Sequence, residues 1–242
     1  MTLLAGECGV YSNKVYLVTL VCFDMPSKTA IVFIDGNNWY HNSKCFLSKP
    51  ADIDFNKLAN FICTHFELNL VEIVYYNSVP DIRDGEAMYY RHLMYLSDLE
   101  KQGIKVKTRK LQTTSTKELK AERTILIDSL DLCEVCKPLI KQTFVDMLGS
   151  VQKKEKGIDI MIAVDMIKRC MINKECDCCI LISGDADFIP VMQIIKDSGR
   201  EAITSMVPYG YSRQLRYGKF RYFILKRSDL VGACLKDFKE LK

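Results

Sequence analysis

Two uninterrupted apolar runs of strand length, at 30–34 and 178–182, constrain this chain more than any other feature. A strand with no polar residue on either face has to be covered on both faces. That is the situation of a parallel sheet with helices above and below it. The surrounding segments alternate in the same sense. A helical stretch at 55–66 leads to a β-branched run at 70–76, and residues 86–101 carry Tyr89, Leu93 and Leu96 at helical spacing. Gly103 stops that helix before a basic strand at 104–111. Further on, 158–172 is apolar nearly all round and reads as a helix buried on most sides. Residues 188–198 set Val191, Ile194 and Ile195 on one stripe with Gly199 as a stop, and 201–207 is a further strand. This alternation predicts an α/β fold with an open, mainly parallel central sheet and helices on both faces.

The chain has 242 residues, enough for one core with appendages. Residues 1–27 look unlike the rest of the chain and read as an N-terminal extension, with Met25-Pro26-Ser27-Lys28 resembling a natural start. The main domain is expected over 28–230 and a C-terminal tail over 231–242. Within the domain, 112–156 is a less regular insertion, helical or loop, holding Cys133-x-x-Cys136. No apolar run approaches the roughly 18–20 residues of a membrane span, and the run at 15–23 lacks the flanks of a secretory signal. A cytoplasmic protein without membrane contact is expected, with its eleven cysteines reduced and many of them buried as small hydrophobes. The net charge of +4 permits a polyanionic partner without requiring one. Homo-oligomerisation stays open.

In open parallel sheets, ligands bind outside the carboxyl ends of the strands. Asp35 directly follows the first core strand, and Ser183-Gly184-Asp185-Ala186-Asp187 follows the strand ending at Ile182. With an extended backbone, Asp185 and Asp187 point the same way. Singly, each acid has an ordinary role: Asp35 in a turn with Gly36, Asp185 or Asp187 capping the next helix. Converging together, they repel one another and raise one another's pKa unless a cation compensates, and hard oxygen ligands suit Mg²⁺ or Mn²⁺. Asp159, at the start of the 158–172 helix, interacts favourably with the helix dipole in any case. Asp165 lies about 120° round that helix, at 3.6 residues per turn. Its expected partners are Lys168 and Arg169.

The strings Phe33-Ile34-Asp35-Gly36-Asn37-Asn38, Lys156-Gly157-Ile158-Asp159 with Ala163-Val164-Asp165, and Leu181-Ile182-Ser183-Gly184-Asp185-Ala186-Asp187-Phe188 resemble the three signature blocks of NYN domains. NYN domains are PIN-like nucleases, and the pattern is most similar to their LabA-like, or DUF88, branch. The likeness covers about residues 29–227. It implies a three-layer α/β/α sandwich and a metal-dependent ribonuclease. By position it implies an acidic cluster of Asp35, Asp159, Asp185 and Asp187, with Asn38 as polar companion and Ser183 orienting the site. Cys133 and Cys136 match a Cys-x-x-Cys of the family. The family's terminal block, a leucine followed shortly by Ala-Asp and Phe, is replaced here by Leu215-Arg216-Tyr217-Gly218-Lys219-Phe220.

The mechanism these residues suggest is endonucleolytic hydrolysis of single-stranded RNA, with one or two Mg²⁺ or Mn²⁺ ions on the four aspartates and a 5′-phosphate product. Metal-free cleavage wants paired histidines, and His41, His65 and His92 show no pairing. Arg213, Arg216, Lys219 and Arg221, interleaved with Tyr217, Phe220 and Tyr222, suit phosphate contact and base stacking. An ordinary basic helix and edge strand with core aromatics accounts for them slightly better, and Lys105, Lys107, Arg109 and Lys110 share that ambiguity. Four thiolates from Cys133, Cys136, Cys176 and Cys179 are not expected to share a zinc ion, because Cys179 falls in a buried strand. The main alternative is a catalytically weak RNA-binding or adaptor module on the same fold. No Gly-x-Gly-x-x-Gly follows the first strand, as a dinucleotide site requires, and no Asp-x-Asp, as an aspartyl phosphatase requires.

Overall fold

A computed structural model describes residues 28–45, 47–82, 85–110, 112–113, 116–146, 153–154, 157–218 and 220–236; the expected extension at 1–27 lies outside them. In chain order the elements are β1 (Thr29–Asp35), α1 (Gly36–Ser43), α2 (Phe55–His65), β2 (Asn69–Val79), α3 (Glu86–Lys101), β3 (Lys105–Lys110), β4 (Gln112–Thr113), α4 (Thr116–Ser129) and α5 (Cys136–Asp146). There follow β5 (Lys153–Lys154), α6 (Ile158–Met166), β6 (Cys178–Ile182), α7 (Ile189–Asp197), β7 (Glu201–Met206), α8 (Arg213–Tyr217), β8 (Arg221–Ile224) and α9 (Arg227–Ala233). Helix α6 continues without a break as a π-helix over Ile167–Ile172.

The main sheet runs β3-β2-β1-β6-β7-β8, and every neighbouring pair in it is parallel. The period of two along each strand divides one strand between two cores. Ala30, Val32 and Ile34 of β1 join the side packed by α2, α3 and α9, whereas Ile31 and Phe33 join the side packed by α6 and α7. All five are fully buried, as the unbroken apolar run requires. Cys178, Ile180 and Ile182 likewise face the first core, Cys179 and Leu181 the second. The expected α/β sandwich is thus present. No helix among the described residues is long and apolar enough to cross a membrane.

Several expectations are corrected. Helix α6 and its π extension bury only Ile158, Ile162, Met166 and Cys170, a stripe four residues apart, while Ile160 and Val164 are 69% and 55% exposed. The helix is an outer layer, so the sheet covers one side of it and water the other. On α7 the buried stripe is Val191, Met192 and Ile195, with Ile194 turned outward. Of residues 231–236, expected to start a tail, Cys234 is fully buried and Leu235 bridges to Ile53, while Val231 is exposed. The insertion at 112–156 leaves and re-enters at one point, because β4 and β5 pair antiparallel, Gln112 with Lys154. Finally, Cys170 and Cys179 are joined as a disulfide rather than standing as two thiols. Cys170 continues the buried stripe of the α6 helix, and Cys179 points from β6 into the same core.

Candidate functional site

Strand order reverses between β1 and β6. From β1 the chain builds outward through β2 and β3, then returns to place β6, β7 and β8 on the other side. Such a switch point leaves a crevice outside the carboxyl ends of the two central strands. Asp35, the last residue of β1, lies there, only 4% exposed. Its Oδ1 accepts the Asn38 backbone N–H at 3.0 Å, capping α1, and its Oδ2 accepts the Ser183 hydroxyl at 3.1 Å. The capping role and the site role therefore coincide in one side chain. Ser183, just beyond β6, also accepts the Asp185 backbone N–H at 3.2 Å.

Asn38 ties the same two strand ends from the other direction. Its Oδ1 accepts the Gly184 backbone N–H at 2.8 Å and the Asn42 Nδ2 at 2.9 Å. Asn42 escaped the sequence reading, although Asn38 and Asn42 stand four apart on α1 and so share a face. Gly184 has to be glycine for space: a Cβ there would lie 2.9 Å from Tyr211 Cα. The contact belongs to the segment entering α8, where Ser212 donates its N–H to the Gly184 carbonyl at 2.8 Å.

The backbone is not extended through Asp187. Strand β6 ends at Ile182, and Asp185 caps a single 3₁₀ turn, Ala186–Phe188, accepting the Asp187 N–H at 3.0 Å. A capping turn, not strand alternation, therefore sets these two acids. Opposite them stands Asp159, in the first turn of α6, behind Gly157 in the left-handed conformation at φ +85°. Partial desolvation and then the charges of Asp185 and Asp187 push the Asp159 carboxyl up from its ordinary value. Three separate stretches of chain thus bring acids to one sheet edge, with Ser183 linking Asp35 to the group.

The NYN domain family model matches residues 29–145 and 135–218. The chain belongs to the NYN-domain family. NYN domains are PIN-like nucleases, so the function is of nuclease type. The chain is also similar to a protein of unknown function from Vibrio parahaemolyticus RIMD 2210633, with 16% identity over 86% of this chain and 97% of that one and a TM-score of 0.49. No curated protein matches.

Nucleases of this family generally use divalent metals, and the donor set of this NYN domain fits such an ion. It is all oxygen, with hard carboxylates, and Asp159 is held under the repulsion of two neighbouring acids. The fit is not a closed cage. Among the described residues, no three of the aspartates bring carboxyl oxygens within 4.8 Å of one another. A divalent ion that keeps several of its waters matches a spaced set of this kind.

The basic residues separate by position. Arg213 and Arg216 lie on α8, next to the Gly184–Ser212 contact, and Arg216 donates to the Tyr211 hydroxyl at 3.2 Å. Lys219 lies outside the described residues. Arg221 is not part of the site: it begins β8, at the amino-terminal edge of the parallel sheet, paired with Glu201 and stacked 4.7 Å over the Phe66 ring. Phe220 is buried in the core, whereas Tyr217 is 77% exposed. On the basic strand, Lys105 pairs with Glu72 and Lys107 with Asp165, the structural role for both. Asp165 also accepts the Tyr76 hydroxyl at 2.7 Å. Its hydrogen-bonded partners thus come from β2 and β3 rather than from Lys168 and Arg169, because the sheet lies against that face of α6. Arg169 adds only its charge and pairs with Glu72 and Glu175.

Proposed function

We propose that this NYN domain is a metal-dependent endoribonuclease that hydrolyses phosphodiester bonds of single-stranded RNA at the crevice between β1 and β6. Asp35, Asp159, Asp185 and Asp187 are the residues that would hold Mg²⁺ or Mn²⁺. One observation carries the reading: Asp35 at the end of β1, Asp159 in the first turn of α6 and Asp185 and Asp187 just after β6 come to one end of the sheet, where burial and then the charges of Asp185 and Asp187 push the Asp159 carboxyl up. A divalent cation is the natural counter-charge for such a group. When bound it would supply Lewis-acid charge to the phosphate and make a bound water more acidic.

The protein's part is preorganisation. Ser183 and the Asn38 backbone fix the Asp35 carboxylate before substrate arrives. Asn42 and Gly184 fix the Asn38 side chain, which locks α1 to the loop after β6. Arg213 and Arg216 supply phosphate contacts from α8, and exposed Tyr217 offers a stacking face for an unpaired base. The test is incubation with labelled single-stranded RNA and Mg²⁺ or Mn²⁺, comparing wild type with Asp185→Asn. Metal-dependent cuts ending in 5′-phosphates, lost in the variant, support the reading. Equal cutting by both, or RNA bound by wild type and left whole, overturns it.

A further inference from the structure

At the opposite, amino-terminal end of β6 lies a second cluster that the nuclease reading does not use. Cys170, Cys176 and Cys179 come from three pieces of chain: the π-helix after α6, the loop before β6, and β6 itself. Their sulfur atoms all lie within 4.8 Å of one another, and the Cys170 and Cys176 sulfurs are 3.0 Å apart. The three residues are 0%, 2% and 0% exposed. No other group of three possible metal ligands among the described residues is so closely spaced.

We propose that Cys170, Cys176 and Cys179 form a thiolate site for one soft or borderline cation, Zn²⁺ or Cu⁺. Sulfur ligands select these ions over the hard ions suited to the aspartates. At Zn–S distances of about 2.3 Å, bound sulfurs would stand roughly 3.8 Å apart, so the reduced residues have to spread from the 3.0 Å that separates Cys170 and Cys176 while staying inside the 4.8 Å cluster. Three thiolates complete a trigonal cation and fill three of the four positions of a tetrahedral one. Burial pushes the Cys176 thiol up, and the Ile31 backbone hydrogen bond with the Arg169 and Arg200 charges offsets only part of that, so the cation itself has to stabilise the thiolates. Arg200 is fixed by the Cys176 carbonyl at 2.8 Å and by Asp177 at 2.9 Å. Such outer partners orient ligands and offset the net negative charge that three thiolates leave on Zn²⁺.

With Cys170 and Cys179 joined as a disulfide, the same site is in its oxidised form. Two thiols lose two electrons and two protons to a peroxide, hydrogen peroxide leaving as two waters, and the cation has then lost two of its three ligands. The site has a structural purpose. It clamps the far end of the α6 helix, whose first turn carries Asp159, to β6, whose far end delivers Ser183 and Asp185. The exposed pair Cys133 and Cys136 takes no part in it.

The experiment uses the full chain carrying Cys133→Ser and Cys136→Ser, reduced and anaerobic. Added Co²⁺ is read by thiolate-to-cobalt charge-transfer absorption, and Zn²⁺ retention by elemental analysis after gel filtration. The expected result is one ion per chain with a thiolate band, both reduced at least about tenfold by Cys176→Ser and unchanged by Asp185→Asn. No band in the reduced parent, or a band that survives Cys176→Ser, overturns the proposal. Should Cys176→Ser fail to fold, thiol alkylation of the parent with and without Zn²⁺ decides. Protection confined to Cys170, Cys176 and Cys179 supports the site, and equal labelling with and without metal refutes it.

Discussion

The Ser183 hydroxyl donates to the Asp35 carboxylate at 3.1 Å across the boundary between β1 and β6, joining the ends of two strands 148 residues apart in sequence. Both residues are buried, Asp35 at 4% and Ser183 at 2% exposure. The bond both stabilises the fold and aims a carboxylate.

Ser183→Ala removes one donor to Asp35. A hydrogen bond to a charged group contributes about 1.5–3 kcal/mol, so urea denaturation should show a loss in that range. RNA cleavage should fall by roughly tenfold or more, which corresponds to about 1.4 kcal/mol of lost transition-state stabilisation. Unchanged cleavage would place Asp35 outside the reaction.

Asn38 and Asn42 should differ in a defined order. The Asn38 oxygen serves two donors, one of them the backbone N–H of Gly184. Asn38→Ala leaves that N–H without its acceptor and should cost about 1–3 kcal/mol. Asn42→Ala removes the donations to Asn38 at 2.9 Å and to the Gly210 carbonyl at 3.4 Å, leaves no buried N–H without its acceptor, and should cost about 1 kcal/mol or less. Thermal melts of the two variants check the order.

Positively charged residues should separate by face. Arg213→Ala and Arg216→Ala should weaken single-stranded RNA binding, each lowering the slope of log K against log salt by about 0.7. Arg221→Ala should leave binding unchanged and lower stability, since Arg221 is held by Glu201 and Phe66 on the other edge. Fluorescence anisotropy over a salt series distinguishes the three.

Asp165 predicts an acid limb. Burial pushes its carboxyl up, but the hydrogen bonds from Lys107 and Tyr76, with the charges of Lys107 and Arg169, outweigh that and hold it below the ordinary aspartate value. A depressed carboxylate contributes stability that is fully present above the unfolded value and lost as pH falls through the folded one. Lys107→Met should therefore destabilise the protein by about 1.5–3 kcal/mol at neutral pH. The deficit should shrink below the unfolded carboxylate value, as chemical denaturation at a series of pH values would show.

How much of the fold and site is legible in the sequence depends on how local each signal is. The runs at 30–34 and 178–182 announce strands buried on both faces, and an acid just past such a strand needs no further information to be placed at its carboxyl end. Arg221 cannot be placed that way, because the edge it occupies depends on the register of β8 against β7. Helical spacing offers Asp165 neighbours three and four along its own helix, whereas its ion-pair partner, Lys107, is 58 residues away on β3. Helix α6 is apolar nearly all round, so its pattern barely tells the face that meets the sheet from the face that meets water. Cys170 carries no signal until the helix stripe is set against β6.

Manganese binding, followed by electron paramagnetic resonance, tests the carboxylate site most directly. Wild type should bind Mn²⁺, and Asp159→Asn and Asp185→Asn, each folded by circular dichroism, should each weaken binding at least about tenfold, the scale of losing one ligand's contribution. Wild-type protein that takes up no Mn²⁺, or variants that bind it as tightly as wild type, would contradict the account.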